Sequence, residues 1–598
     1  MKRKWSIGIL LVVLLLAWWG LSIYPDWLWF GKLHYSSVFW TMLMSKFGIG
    51  VVIWLLLMLL VALNLWFAGR SKALARPRPD QSPETDILAQ FGLSGKSAGM
   101  LMWALVVIIS FVIAQKGAGQ WDMILRFFHQ QPFGTSDPLF NNDIGFYVFS
   151  LPFYLFIQSG LLVLIVFAAV VTIAWYLKNG AIQVTNLSEY AAQAQGKPVP
   201  VPKIDIEARA IKHLIFFGGI IVLLLAWGYR LKMFNLLYST SGATFGAGYT
   251  DVHVRMLAYG TLIFLSLAFS LVLFLNAFKT KARQIWVSGG IWLGLIILLG
   301  TLLPVVVQKV VVRPNELTKE APYIDHNIKY TRKAYNLTRI KEVNFPVADT
   351  LTMQDIAADQ ATIQNIRIWD KRPLLQTYNQ LQSIRLYYDF NDVDVDRYSI
   401  ENNYRQVMLS ARELSVNQLP PQANTWVNRH LIYTHGYGLA SSPVNKVTSE
   451  GLPDFIIKDL PPTIHVDMKI EHPEIYYGEK TDEYVFVNTK TKEFDYPKGD
   501  QNVYTHYQGT GGVPITSFVR RALFALEFFD PQILFTTYLN PESRIMYNRR
   551  IDMRVRAIAP FLVYDGDPYL VVSGGRLFWI QDAYTTSNMY PYSTKLSG

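Results

Sequence analysis

The strongest constraint on this chain is a set of long apolar runs that stops halfway along it. A helix needs about 20 mostly apolar residues to cross a bilayer. Seven stretches approximately meet that requirement, at residues 5–23, 47–67, 97–114, 151–177, 214–229, 257–278 and 285–307. None carries an Asp, Glu, Lys or Arg deep inside; the polar exceptions are chiefly Asn64, Gln158, Ser266, Ser270 and Asn276. In lipid every backbone polar group must find its partner within the segment, so such runs fold as helices. Residues 1–307 are expected to form a membrane domain of seven helices. Residues 308–598 lack such runs and are expected to form an α+β extracytoplasmic domain, in one or two subdomains. The first run follows "MKRK" without a small-residue cleavage pattern and reads as an uncleaved anchor.

Charge sets the orientation. The N-terminus and the loops 68–96, 178–213 and 279–284 carry 16 Lys and Arg; the loops 24–46, 115–150 and 230–256 carry 7. Positive loops stay in the cytoplasm. The N-terminus is therefore expected inside a plasma membrane, and an odd number of spans puts residues 308–598 outside. The formal net charge of +11 belongs to the membrane half, with 23 Lys and Arg against 11 Asp and Glu; residues 308–598 hold 32 against 33. A globular half so balanced has no bulk field for nucleic acid. The absence of cysteine excludes disulfides, thiolate metal sites and cysteine nucleophiles.

Uncharged spans argue against a pump or ion-coupled transporter, because those carry intramembrane ionisable groups. A transporter or channel component stays as an alternative. The loop "YPDWLWFGKLHYSSVFWTML" (24–43) reads as an aromatic interfacial belt, or else as a groove for a lipid or partner. Asp137, Asn142 and Asp143 read as turn formers rather than cation ligands.

In the globular half, residues after Pro314 read as a stalk helix. Thr352, Asp370 and Ser517 are expected N-caps. "NYRQVMLSARELS" and "PQANTWVNRHLIY" read as amphipathic helices, and "EYVFVNTKTKEFDYP" as a hairpin. "PESRIMYNRRIDMRVRAIAP" reads as a helix, and "FLVYDGDPYLVVSGGRLFWI" as a three-stranded meander with turns at DG and GG. His430 and His435 are five apart, a spacing that does not put them on one face of a helix and does not match H-E-x-x-H. "GTGGVPITS" lacks the Lys-Ser/Thr of a phosphate loop, and no G-x-S-x-G nucleophile occurs.

Two groups of residues carry candidate chemistry. In "YYDFNDVDVDRY" the apolar positions change phase near Asn391, which predicts a bulge or turn. Beyond it Asp392, Asp394 and Asp396 are expected on one face of an extended segment. They are either a solvated face or an oxygen-ligand site for a cation such as calcium. The segment fails the EF-hand pattern, since the required Gly and Glu positions are Arg397 and Asn403. Arg549, Arg550 and Arg554 could grip phosphate, sulfate or carboxylate groups, or pair with local acids.

The strings "RPNELTKEAPYIDHNIKYTRKAY", "RPLLQTYNQLQSIRLYYDFNDVDVDRY", "TWVNRHLIYTHGYG" and "RLFWIQDAYTTSNMYPYS" resemble uncharacterised protein family 0182, a set of large bacterial integral-membrane proteins. The resemblance implies a seven-span bacterial protein with a large extracytoplasmic region, and implies no reaction. Family members continue past "YPYS", so the chain reads as a short or truncated member. The expected function is an envelope membrane protein whose outer domain binds a protein, lipid or wall polymer. The alternative is a metal-assisted hydrolase or transferase.

Overall fold

Unbroken apolar composition produces long helices. The computed structural model has six that are long and apolar enough to cross a membrane, among the residues it describes (20–71, 95–184, 204–279, 281–347 and 349–596). They are Ser36–Ala68, Gly99–Ala118, Phe146–Lys178, Ala208–Tyr238, Asp251–Lys279 and Ala282–Ala334. Each overlaps one of the expected runs. The remaining expected run, 5–23, lies outside the described residues up to position 19. The sixth helix is longer than expected because the stalk segment continues it. π turns at Leu298–Leu302 and Gln308–Val312 lie beside Pro304 and Pro314, where the ring removes an N–H from the helical ladder.

The chain divides into two compact units, one of Met42–Val343 with Ser587–Gly598 and one of Met1–Thr41 with Asn344–Thr586. In the helical unit Ser270 Oγ donates to the Gly219 carbonyl at 2.8 Å, joining two spans. Asp137 accepts the backbone N–H groups of Leu139, Phe140 and Asn142, and Asp143 those of Phe133, Gly134 and Gly145. Both are turn formers, as expected. The C-terminal segment is anchored in this unit by Tyr592, which is fully buried. Its hydroxyl donates to the Ala247 carbonyl at 3.1 Å, and Asn327 Nδ2 donates to its carbonyl at 2.8 Å. Gly246 has φ +121°, and a Cβ there would stand 2.3 Å from the Tyr592 ring, so only glycine fits.

The strand-rich unit is built on a six-stranded antiparallel sheet. Its strands are β1 (Tyr388–Phe390), β2 (Asp394–Ile400), β3 (Asn403–Leu414), β4 (Leu439–Pro443), β5 (Ile457–Lys458) and β6 (Thr463–Ile464). The order is β1–β3–β4–β5–β6, and β2 also pairs with β3. The central strand β3 is the "NYRQVMLSARELS" segment expected to be a helix. Its last eight residues are all buried, so no polar face is needed. Arg412 and Glu413, two charged positions of that segment, are buried and fully engaged. Arg412 donates to the carbonyls of Gln382 (2.8 Å) and Tyr437 (3.1 Å) and to Gln382 Oε1 (3.2 Å). Glu413 accepts the N–H groups of Glu479 (2.7 Å) and Lys480 (3.0 Å) and the Thr481 hydroxyl (2.9 Å). A Cβ on Gly478 would come within 2.2 Å of Glu413 Oε2, so that approach requires glycine.

The expected phase change is a one-residue slip. Phe390 pairs with Arg412, but Asp394 pairs with Leu409, so four steps along one strand oppose three along the other. The expected caps are present at Thr352, Asp370 and Ser517.

Three other expectations are corrected. "EYVFVNTKTKEFDYP" is not a hairpin: β7 (Val485–Val487) pairs with β10 (Arg544–Met546), and β8 (Glu493–Lys498) pairs with β9 (Gln501–Thr505). The arginine segment is not one helix. Ile545 and Met546 are buried in β10, Asn548 has φ +50°, and the helix begins only at Ile551. The GG turn does join β11 (Tyr569–Ser573) to β12 (Arg576–Ile580), whereas Val563–Tyr564 pairs with Ala583–Tyr584, so DG is not a hairpin turn.

Candidate functional site

The bulge delivers two of the three expected aspartates to one place. Asp392 lies in the break between β1 and β2, and Asp394 opens β2. A third carboxylate comes from Asp567, just before β11. Ligand oxygens of Asp392, Asp394 and Asp567 all lie within 4.8 Å of one another. Two oxygens on opposite sides of a calcium ion, each at about 2.4 Å, are separated by about that distance. Asp396 is not in the group. It lies two residues further along β2, and same-face neighbours on a strand are about 6.6 Å apart. Its Oδ1 accepts the Arg397 N–H instead.

Asp394 is buried, and its Oδ2 accepts the N–H of Leu570 at 3.3 Å. Burial, with Asp567 and Asp392 beside it, pushes its carboxyl up to about 7. Glu479 is pushed up to about 8 by burial and by Glu413, Asp394 and Asp392, against the hydrogen bond from Asn391. Asp567 is also raised, by burial and by Asp392, while Lys371 Nζ at 3.9 Å opposes the shift. The group thus gathers more negative charge than Lys371 balances. It holds either protons or a cation (like charges this close cannot all ionise unaided). The donors are all carboxylate oxygens, which selects hard cations such as calcium over zinc or copper. Asp567 was not legible as a partner because 173 residues separate it from Asp394.

A second polar cluster is enclosed. His435 is fully buried and stacks on Tyr476 with ring centroids 4.5 Å apart. Its Nδ1 lies 2.8 Å from Thr434 Oγ1, which donates to Glu493 Oε2 at 2.6 Å; its Nε2 lies 3.3 Å from Asp495 Oδ1. Burial pulls the imidazole down, and Asp495 and Glu493 together outweigh it, so the ring titrates above its ordinary value. His430 stacks on Tyr484 at 4.1 Å, with Nδ1 2.8 Å from the Tyr484 carbonyl. Both histidines are packed groups.

The three arginines do not converge. Arg549 is buried and donates to the carbonyls of Tyr476, Glu483 and Thr434, which fixes the strand-rich core. Arg550 precedes the helix Ile551–Ile558 and grips Asp552 with two N–H groups, at 3.0 and 2.7 Å. Arg554 lies between aromatic rings, 4.3 Å from the Tyr477 centroid and 5.4 Å from that of Trp29.

Comparison with known proteins supplies a family and no reaction. The profile of the Uncharacterised protein family (UPF0182) matches residues 4–598. A UPF0182 protein of Desulforamulus reducens is 42% identical over 615 residues, covering 99% of this chain and 64% of the relative. One of Pelotomaculum thermopropionicum is 43% identical over 595 residues, covering 98% and 63%. One of a Sulfurovum species is 42% identical over 577 residues, covering 96% and 61%. The chain therefore spans less than two thirds of the length of these curated relatives. No solved structure matches it. With a profile matched from residue 4 to residue 598 and relatives above 40% identity along nearly the whole chain, this protein belongs to the UPF0182 family.

Proposed function

We propose that this chain is the membrane and binding portion of a bacterial envelope protein. Its N-terminus lies in the cytoplasm, with seven spans in the plasma membrane. The strand-rich unit faces outward and binds a protein, lipid or wall-polymer partner. A calcium-class cation held by Asp392, Asp394 and Asp567 clamps β11 to the main sheet of that unit. The observation that carries this reading is the convergence of three carboxylates from two remote segments within 4.8 Å. The loop count of 16 basic residues against 7 supports the orientation.

The absence of cysteine makes the orientation testable without background. A membrane-impermeant maleimide applied to intact cells is expected to label Asp500→Cys and to spare Arg283→Cys; the reverse pattern refutes the orientation. Metal analysis of the purified chain is expected to find stoichiometric calcium that Asp394→Asn abolishes. Co-purification from envelope extract is expected to retain a partner in calcium and release it in chelator. Recovery of the chain alone under both conditions sinks the partner reading.

A metal-assisted hydrolase is the second reading. It is favoured by the all-carboxylate donor set of Asp392, Asp394 and Asp567, which would hold a cation able to polarise a bound water. It requires a hydrolytic activity that disappears in Asp394→Asn.

A further inference from the structure

We propose that a cavity in the strand-rich unit, bounded by Trp29, Lys32, His34, Tyr477, Gly511 and Arg554, binds a phosphate-bearing anion, either free phosphate or a lipid headgroup. The inference rests on the binding role proposed above and names the chemistry of one ligand. It does not involve the carboxylate cluster.

The cavity holds about 450 Å³, within the range of small-molecule sites. Its charged lining is of one sign. Lys32, His34 and Arg554 border it, and none of its lining residues is Asp or Glu. The two permanent cations are available. Lys32 has no hydrogen-bond or ion-pair partner among the described residues. Arg554 donates Nη1 to the Asn548 carbonyl at 3.3 Å, and no carboxylate among the described residues lies within 4.0 Å of it. This separates it from Arg549, saturated by carbonyls, and from Arg550, paired with Asp552.

The guanidinium packs over the rings of Tyr477 and Trp29. A planar fork held in this way presents several parallel N–H donors, the geometry that matches phosphate oxygens. Nearby acceptors are already occupied: Arg544 Nη1 takes the carbonyls of Thr510 and Gly511 at 2.6 and 3.4 Å.

Position adds the lipid source. His34 stands two residues before Ser36, the first residue of a spanning helix. Trp27, Tyr35 and Trp40 in the same segment are exposed, as in an interfacial aromatic belt.

The test uses the full chain in neutral detergent. Calorimetric titration is run with inorganic phosphate, with short-chain phosphatidylglycerol, and with short-chain diacylglycerol as the phosphate-free control. Binding of phosphatidylglycerol without phosphate assigns a headgroup; binding of inorganic phosphate assigns the free anion; both support the site. Lys32→Gln, which removes a side chain that holds nothing else among the described residues, is expected to weaken binding about 10-fold. Arg554→Lys keeps the charge, loses the fork, and is expected to give a smaller loss. Absence of binding by both anions, or affinity unchanged in a folded Lys32→Gln/Arg554→Gln protein, overturns the proposal. Phosphate binding with no partner in the co-purification would leave this site standing and remove the partner reading. Partner recovery without anion binding would do the opposite.

Discussion

The carboxylate of Asp394 accepts the backbone N–H of Leu570 at 3.3 Å, tying β2 to β11 across 176 residues of sequence. The acid that makes this tie is also the most buried member of the carboxylate group. Its carboxyl titrates near 7 in the fold against 3.8 for an ordinary aspartate. The folded chain therefore binds more protons than the unfolded chain between about pH 4 and 7, and stability falls as pH rises through that window. Glu479, held near 8 against 4.5, acts in the same direction. Without divalent cation, the unfolding midpoint of the strand-rich unit is expected to drop from pH 5 to pH 8. Millimolar calcium is expected to flatten the slope, and Asp394→Asn to remove part of it. Near-ultraviolet circular dichroism during heating reads the effect. An identical slope in the variant and in calcium would disprove the assignment.

Arg412 is expected to be among the most sensitive positions in the strand-rich unit. Its guanidinium is fully buried and serves Gln382 and Tyr437 at once. Arg412→Met leaves those carbonyls without donors and is expected to cost about 1–3 kcal/mol for each acceptor left unsatisfied. Denaturant unfolding followed by tryptophan fluorescence measures it. A loss below about 1 kcal/mol would mean that water replaces the donors.

His435 and Glu493 give a second pH signature, of different shape. A histidine raised above 6.5 contributes stability fully below that value and loses it as pH rises through the folded value. Glu493 is depressed below 4.5, because His435, Thr434 and Tyr476 outweigh its burial, so its contribution disappears as pH falls through the folded value. The pair supports the fold most between about pH 4.5 and 6.5. The stability difference between the natural chain and His435→Gln is expected to be largest near pH 6 and to shrink towards pH 9. A difference that grows with pH would show that the ring is neutral in the fold.

In the helical unit Gly246→Ala forces a Cβ into the Tyr592 ring at a backbone angle that alanine resists. The expected loss is about 1–3 kcal/mol. It should be visible as faster proteolysis after Ser587 in detergent, and Gly246→Ala/Tyr592→Leu is expected to recover part of the protection. Unchanged proteolysis would show that the C-terminal segment does not depend on this contact.

The legible parts of this protein share one property: their signal is local. The apolar runs specify helices because lipid leaves the backbone no alternative. Thr352, Asp370 and Ser517 cap helices within three residues of themselves. The slip at Asn391 was visible as a change of phase. The misread parts depend on distant partners. β3 contains Arg412 and Glu413, which look solvent-facing until Gln382, Tyr437 and the 479–481 loop are known. β10 was hidden by arginines whose acceptors lie in other segments. The candidate site was half legible for the same reason: Asp392 and Asp394 are local, and Asp567 is not.

The slip between β1 and β2 makes the acid group a matter of one residue. Deleting one residue at 391–393 would leave three steps opposite three, so Phe390 can still pair with Arg412 and Asp394 with Leu409, and the side chains of β2 keep their face. A single-codon deletion thus straightens the break in which Asp392 sits while sparing the pairing on either side of it.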